Sequence, residues 1–113
     1  MKRLFSLVLV LCAVVVASAP TVASAATCTP PKFPGSGYFT SLKVSRVSCS
    51  TGKSVALAFN KCRTKSSVKG HCSSRVRGYR CTERRQSIPS EIDGSVTCKR
   101  GSRTVKFTYQ QNT

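Results

Sequence analysis

Acidic side chains are nearly missing from this sequence: Glu83, Glu91 and Asp93 are the only three, and His71 is the only histidine. Hydrolytic chemistry needs a positioned acid, base or activated nucleophile. A lone histidine excludes two-histidine ribonuclease chemistry, and the serines have no base to activate them. The acids lie among Arg80, Arg84 and Arg85, where surface ion pairing accounts for them. No catalytic residue is expected. No C-x-x-C pair occurs either, so neither a metal site nor a cofactor is expected. Aromatic residues make up 7% of the chain, and Tyr79, Phe107 and Tyr109 fall on strand positions assigned to the core. A stacking platform for single-stranded nucleic acid is therefore not expected. There is no internal repeat and no low-complexity segment.

A long hydrophobic run is missing as well. The apolar stretch from Leu4 to Ala17 is short for a bilayer span and has no basic residues after it to stop transfer. With Met1-Lys2-Arg3 before it and Ala23-Ser24-Ala25-Ala26 after it, residues 1–25 read as a signal peptide cut after Ala25 or Ala26. Cys12 leaves with that segment. The mature chain is then expected to be secreted, extracellular or associated with the cell envelope, without a transmembrane segment, and monomeric.

Removing 25 of 113 residues leaves 88, a single domain near the size at which a hydrophobic core alone barely offsets chain entropy. Six cysteines remain: Cys28, Cys49, Cys62, Cys72, Cys81 and Cys98. An even set in an exported chain predicts three disulfides. Cys62 and Cys72 bracket a polar segment and are expected to pair, a closure worth roughly 3 kcal/mol of chain entropy. The other four allow three connectivities. Strand parity points Cys81 and Cys98 both inward, which favours each bonding to Cys28 or Cys49 instead of to each other.

Residues 26–37 form a Pro/Gly-rich arm, in which Pro30, Pro31, Pro34, Gly35 and Gly37 argue against helix and central strand. Residues 38–113 carry the domain. Tyr38 to Cys49 reads as a strand with Leu42 and Val44 on one face, and a parity change predicts a bulge or bend near Arg46. Ser50 to Arg63 reads as a helix capped by Ser50 or Thr51, with Val55, Ala58, Phe59 and Cys62 along its buried stripe. Three strands follow: Arg75 to Thr82, Ser95 to Lys99, and Thr104 to Tyr109. Arg100-Gly101-Ser102 joins the last two as a hairpin, and Glu83 to Gly94 reads as a long polar loop. The expected fold class is a small disulfide-stapled α+β domain, one helix packed on an antiparallel sheet in the order strand, helix, three-stranded meander.

VSCSTGKSVALAFNKCR (Val47 to Arg63), GYRC (Gly78 to Cys81) and VTCKRGSRTVKFTYQ (Val96 to Gln110) together resemble a family of short exported actinobacterial cysteine-containing proteins. That family has no established activity. The resemblance implies this topology and a secreted setting, with the cysteines, Gly78, Tyr79 and Gly101 as pattern positions and no catalytic residues.

What the sequence has in excess is positive charge. Nineteen Lys and Arg less Lys2 and Arg3, set against three acids, leave the mature chain at +14. Such a field attracts polyanions. The expected ligand is an anionic wall polymer or another polyanion, and the candidate residues are Arg63, Lys65, Lys69, Arg75, Arg77, Arg84, Arg85, Lys99, Arg100, Arg103 and Lys106. A surface that is merely solvated is the plainer alternative. Two other classes compete: a protein-binding or inhibitor-like module using a braced loop, Arg63 to His71 or Glu83 to Gly94, and a membrane-active cationic protein, which wants an exposed apolar patch.

Overall fold

The computed structural model describes residues 13–15 and 25–113. The expected signal peptide, apart from residues 13–15 and Ala25, lies outside them. Six elements follow one another: β1 (Ala25–Cys28), β2 (Gly37–Ser45), α1 (Cys49–Arg63), β3 (Arg80–Ile88), β4 (Glu91–Arg100) and β5 (Arg103–Asn112). The strands form one antiparallel sheet in the order β1-β2-β5-β4-β3. The α+β class holds, but the sheet has five strands, not four. The expected meander is present as β3-β4-β5, and β2 docks on its free β5 edge.

The fifth strand comes from the expected arm, whose start pairs Cys28 with Leu42. The rest of the arm is folded onto the body by Phe33, which is buried with its ring centroid 5.0 Å from that of Phe39.

One face of the sheet and one face of α1 enclose the core. Leu42 and Val44 meet Val55, Ala56 and Phe59 of the helix across Val105 and Phe107. The Phe59 and Phe107 rings meet edge to face at 5.6 Å. Phe39 and Leu42 are both buried although three residues apart, which a regular strand forbids. A bulge at Thr40 restores the facing, and the bend expected near Arg46 is present at the end of the strand, where Arg46 turns the chain at φ 59°.

That turn also moves the helix start. Ser48, not Ser50 or Thr51, is the cap: its Oγ accepts from the Thr51 N–H at 3.1 Å. The buried stripe is rotated from the expected one. Val55 and Phe59 are in it, but Ala58 and Cys62 are half-buried, and Ala56, Asn60 and Arg63 take the inner positions. Polar side chains that satisfy one another inside are invisible to hydrophobic periodicity.

The largest correction concerns Glu83 to Gly94, which is no loop. β3 continues to Ile88 and turns through Pro89-Ser90 into β4. Its outer half lies at the sheet edge with Arg84, Gln86, Ser87 and Ile88 all exposed, so it carries no apolar alternation. The expected strand from Arg75 instead begins with a tight turn. Val76 and Tyr79 exchange backbone hydrogen bonds of 3.0 and 2.8 Å around Arg77 (φ 49°) and Gly78 (φ 82°), the positive angles a two-residue hairpin turn demands. The hairpin at Gly101-Ser102 is as expected.

All six cysteines among the described residues are paired: Cys28–Cys49, Cys62–Cys72 and Cys81–Cys98. The Cys62–Cys72 closure is the expected one. The preference against a Cys81–Cys98 bond is overturned, because the Pro89-Ser90 turn sets a register in which these two residues face each other directly.

Candidate functional site

Two of the candidate cations are taken up by the fold, Arg63 fully buried and Arg85 partly so. Arg63, at the end of α1, is 1% exposed. Its Nη1 donates to the Val68 carbonyl at 2.8 Å, its Nη2 donates to Asn60 Oδ1 at 2.7 Å and Gln111 Oε1 at 3.1 Å, and its guanidinium lies 4.3 Å from the Tyr109 ring centroid. The Tyr109 hydroxyl donates to Glu83, whose two oxygens also receive Arg85 at 3.0 Å each. Arg85 further donates to the carbonyls of Lys69 and Gly70 at 2.9 and 2.7 Å.

This network ties α1, the 64–71 loop, β3 and β5 together. Burial lowers the Arg63 guanidinium from its ordinary value, with Tyr109 and Glu83 pulling the other way. Burial first, and then the Glu83 bond, push the Tyr109 phenol well above its own. With every arm of Glu83 and Arg85 engaged, Arg63 and Arg85 brace the fold instead of presenting charge to a ligand.

The remaining cations sort by strand parity. Since β3, β4 and β5 pair without a register shift, the partners of buried residues define the core face and the alternate residues define the open one. Arg84, Lys99 and Lys106 fall on the open face and are exposed. Two residues outside the candidate set join them, Arg80 on β3 and Lys43 on β2. Arg80 lies directly opposite Lys99, and Lys43 directly opposite Lys106. A depression of about 460 Å³ lined by Arg80, Thr82, Arg84, Thr97, Lys99 and Lys106 runs over this surface.

Between the cations the open face carries hydroxyls. Thr27 and Thr97 flank the Lys43–Lys106 pair in register, and Thr104 is the β5 partner of Lys99. Acid is confined to the other end of the face, where Asp93 and Glu91 sit opposite Gln86 and Ile88. Among the described residues the only ion pair is Arg85–Glu83, so none of the five open-face cations is neutralised by a neighbour.

The other candidates are elsewhere. Lys65, Lys69, Arg75 and Arg77 are exposed on the loops between α1 and β3. Arg100 and Arg103 share the parity of the core face, at the hairpin end, where the Arg100 guanidinium lies against Gly78. His71 is exposed, with Nε2 3.4 Å from Arg85 Nη1.

Lys43 was missed because pairing β2 with β5 is a long-range event that no local pattern announces. Arg80 was missed because its parity opposes that of Arg75 and Arg77, which do not belong to the strand at all. No group of three His, Cys, Asp or Glu side chains fit to hold a metal occurs among the described residues. No helix of the described chain is long and apolar enough to cross a membrane. No protein-family model matches the sequence, and no curated protein or solved structure is significantly similar to it.

Proposed function

We propose that this is an exported, noncatalytic domain that holds an anionic polymer at or near the cell envelope on the open face of its sheet. One observation carries the proposal: two like-charged pairs, Arg80–Lys99 and Lys43–Lys106, face each other directly across paired strands with no acid between them. Like charges in directly opposed positions destabilise a sheet. A surface needed only for solubility is served as well by mixed charges. An anionic chain laid across the face turns that repulsion into attraction. Three disulfides suit the oxidising setting of an exported protein.

Salt titration of binding to a polyanion tests the proposal. Engagement of the two opposed pairs, Arg80–Lys99 and Lys43–Lys106, by a flexible phosphate polymer gives log K against log salt a slope of about −2.8. The double variant Lys43→Ser/Lys106→Ser lowers affinity strongly, while Lys53→Ser/Lys61→Ser on α1 removes the same charge from elsewhere with little effect. Equal losses from the two would reduce the surface to undirected net charge.

A second reading has its own support. The 64–71 loop is closed by Cys62–Cys72 and held from within by Arg63 and Arg85, and it displays Lys65, Val68 and Lys69. Preorganisation of this kind favours docking to a protein. Pull-down of one defined protein, abolished by Lys65→Glu/Lys69→Glu and insensitive to salt, would favour it.

A further inference from the structure

We infer that the polymer is a linear polyol phosphodiester lying obliquely across the strands, along a stripe that begins at Arg80 and ends at Lys43. This rests on the polyanion proposal and narrows it to a ligand class and a binding axis.

The axis follows from the register. β3, β4, β5 and β2 are consecutive neighbours in the sheet, and each contributes one cation to the stripe: Arg80, Lys99, Lys106 and Lys43. Arg80 to Lys99 and Lys106 to Lys43 are direct cross-strand steps of about 5 Å, and Lys99 to Lys106 is a diagonal step of about 8 Å, because Lys99 is paired with Thr104. The stripe spans about 16 Å in all. Arg84 is off this line, four residues along β3 from Arg80 and opposite Ser95.

The ligand class follows from what accompanies the charges. A glycerol-phosphate chain has six single bonds between phosphorus atoms and so a repeat of about 7 Å when extended, which seats three successive phosphates on the stripe. Thr97, Thr104 and Ser45 lie beside those positions, with hydroxyls able to donate to phosphate oxygens and accept from polyol hydroxyls. A polysaccharide with one carboxylate on every second sugar spaces its charges too widely to meet neighbouring steps. Single-stranded nucleic acid has the right charge spacing but gains its affinity from base stacking. The stripe has no aromatic side chain; Tyr38, the exposed tyrosine, lies at the far end beyond the Thr40 bulge.

The test compares three probes of matched charge number at low salt: poly(glycerol phosphate), hyaluronate and oligothymidylate. The expected result is poly(glycerol phosphate) tighter than each of the others by about tenfold, the factor carried by one lost ion contact. For that probe, Arg80→Ser weakens binding several-fold and Arg84→Ser, one equal charge from the same strand, leaves it nearly unchanged. Both side chains are exposed, and an unchanged unfolding midpoint or a higher one establishes that each variant is folded.

Hyaluronate binding as tightly, or equal losses from Arg80→Ser and Arg84→Ser, would overturn the phosphodiester axis while leaving polyanion binding in place. Tighter binding of oligothymidylate would assign the surface to nucleic acid instead. Binding of none of the three would remove the parent proposal as well.

Discussion

Lys43 on β2 and Lys106 on β5 occupy directly opposed positions on the open face of the sheet, with Thr27 on one side of the pair and Thr97 on the other. Two ammonium groups in that relationship repel each other in the free protein. Lys106→Thr is therefore expected to stabilise the fold by about 0.2–1 kcal/mol. Urea unfolding checks this, and the gain should shrink as added salt screens the repulsion. The same substitution lowers polyanion affinity. A variant that binds less and folds better is the signature of charge placed for a ligand; a loss of stability would mean the lysine stem packs more than its charge repels.

Arg63 has the opposite character. Replacing it by Met retains bulk but leaves Asn60 Oδ1, Gln111 Oε1 and the Val68 carbonyl without their donor. The expected loss is about 2–4 kcal/mol, measured by urea unfolding, with faster amide exchange in the 64–71 loop. Affinity for the polyanion should stay within about twofold, since removing a charge that faces no ligand removes no ion contact. A drop as large as that of Lys43→Ser/Lys106→Ser would place Arg63 in the binding surface.

The contrast between these two cations shows what was legible in the sequence. The spacing Val55-Phe59 announced the helix, and the alternation Val105-Phe107-Tyr109 announced the last strand, because apolar burial leaves a period. The cysteine count foretold three cross-links. Arg63 read as a surface charge because its burial depends on Asn60, Gln111 and Tyr109, the last two nearly fifty residues away in sequence. The outer half of β3 was illegible for another reason: its inward position holds the charged Arg85 and the rest of it is exposed, so it has no apolar period to read. With that strand went the register that opposes Cys81 to Cys98 and Arg80 to Lys99.

Tyr109 supplies a pH dependence. Burial and the Glu83 bond favour its neutral phenol, so its folded value lies above the ordinary 10.0. A group that holds its proton more tightly when folded contributes stability fully below the unfolded value, and that contribution is lost as pH rises past it. The tyrosine's share is thus intact below pH 10.0 and declines above it. Comparison of urea midpoints below and above that pH with those of Tyr109→Phe isolates the phenol: the wild type should lose more stability on crossing it than the variant does.

Gly94 makes room for this tyrosine. A Cβ at that position would lie 2.1 Å from Cε1 of the Tyr109 ring, which is itself held by Glu83 and covered by Arg63. Neither ring nor strand can retreat freely. Gly94→Ala is expected to destabilise by about 1–3 kcal/mol through overpacking, despite alanine's better fit to an extended backbone. Thermal or urea unfolding checks the sign; a neutral outcome would show that the ring has space to shift.

The three disulfides should be unequal in what they protect. They close segments of similar size, with sequence separations of 21, 10 and 17, so chain entropy assigns each roughly 3 kcal/mol and does not rank them. What differs is the local support. Cys81–Cys98 lies on a ladder of nine residue pairs, and the Cys62–Cys72 loop is also held by Arg63 and Arg85. Cys28–Cys49 joins a strand of four residues at the sheet edge to the start of α1. Cys28→Ser/Cys49→Ser is therefore expected to release β1 and the Phe33 segment locally, seen as loss of amide protection confined to residues 25–36 and α1's first turn. Polyanion affinity should persist, because Arg80, Lys99, Lys106 and Lys43 stand on four strands that pair without β1. Loss of affinity together with β1 would show that the edge strand, through Thr27 beside Lys43, is part of the binding surface and not merely its border.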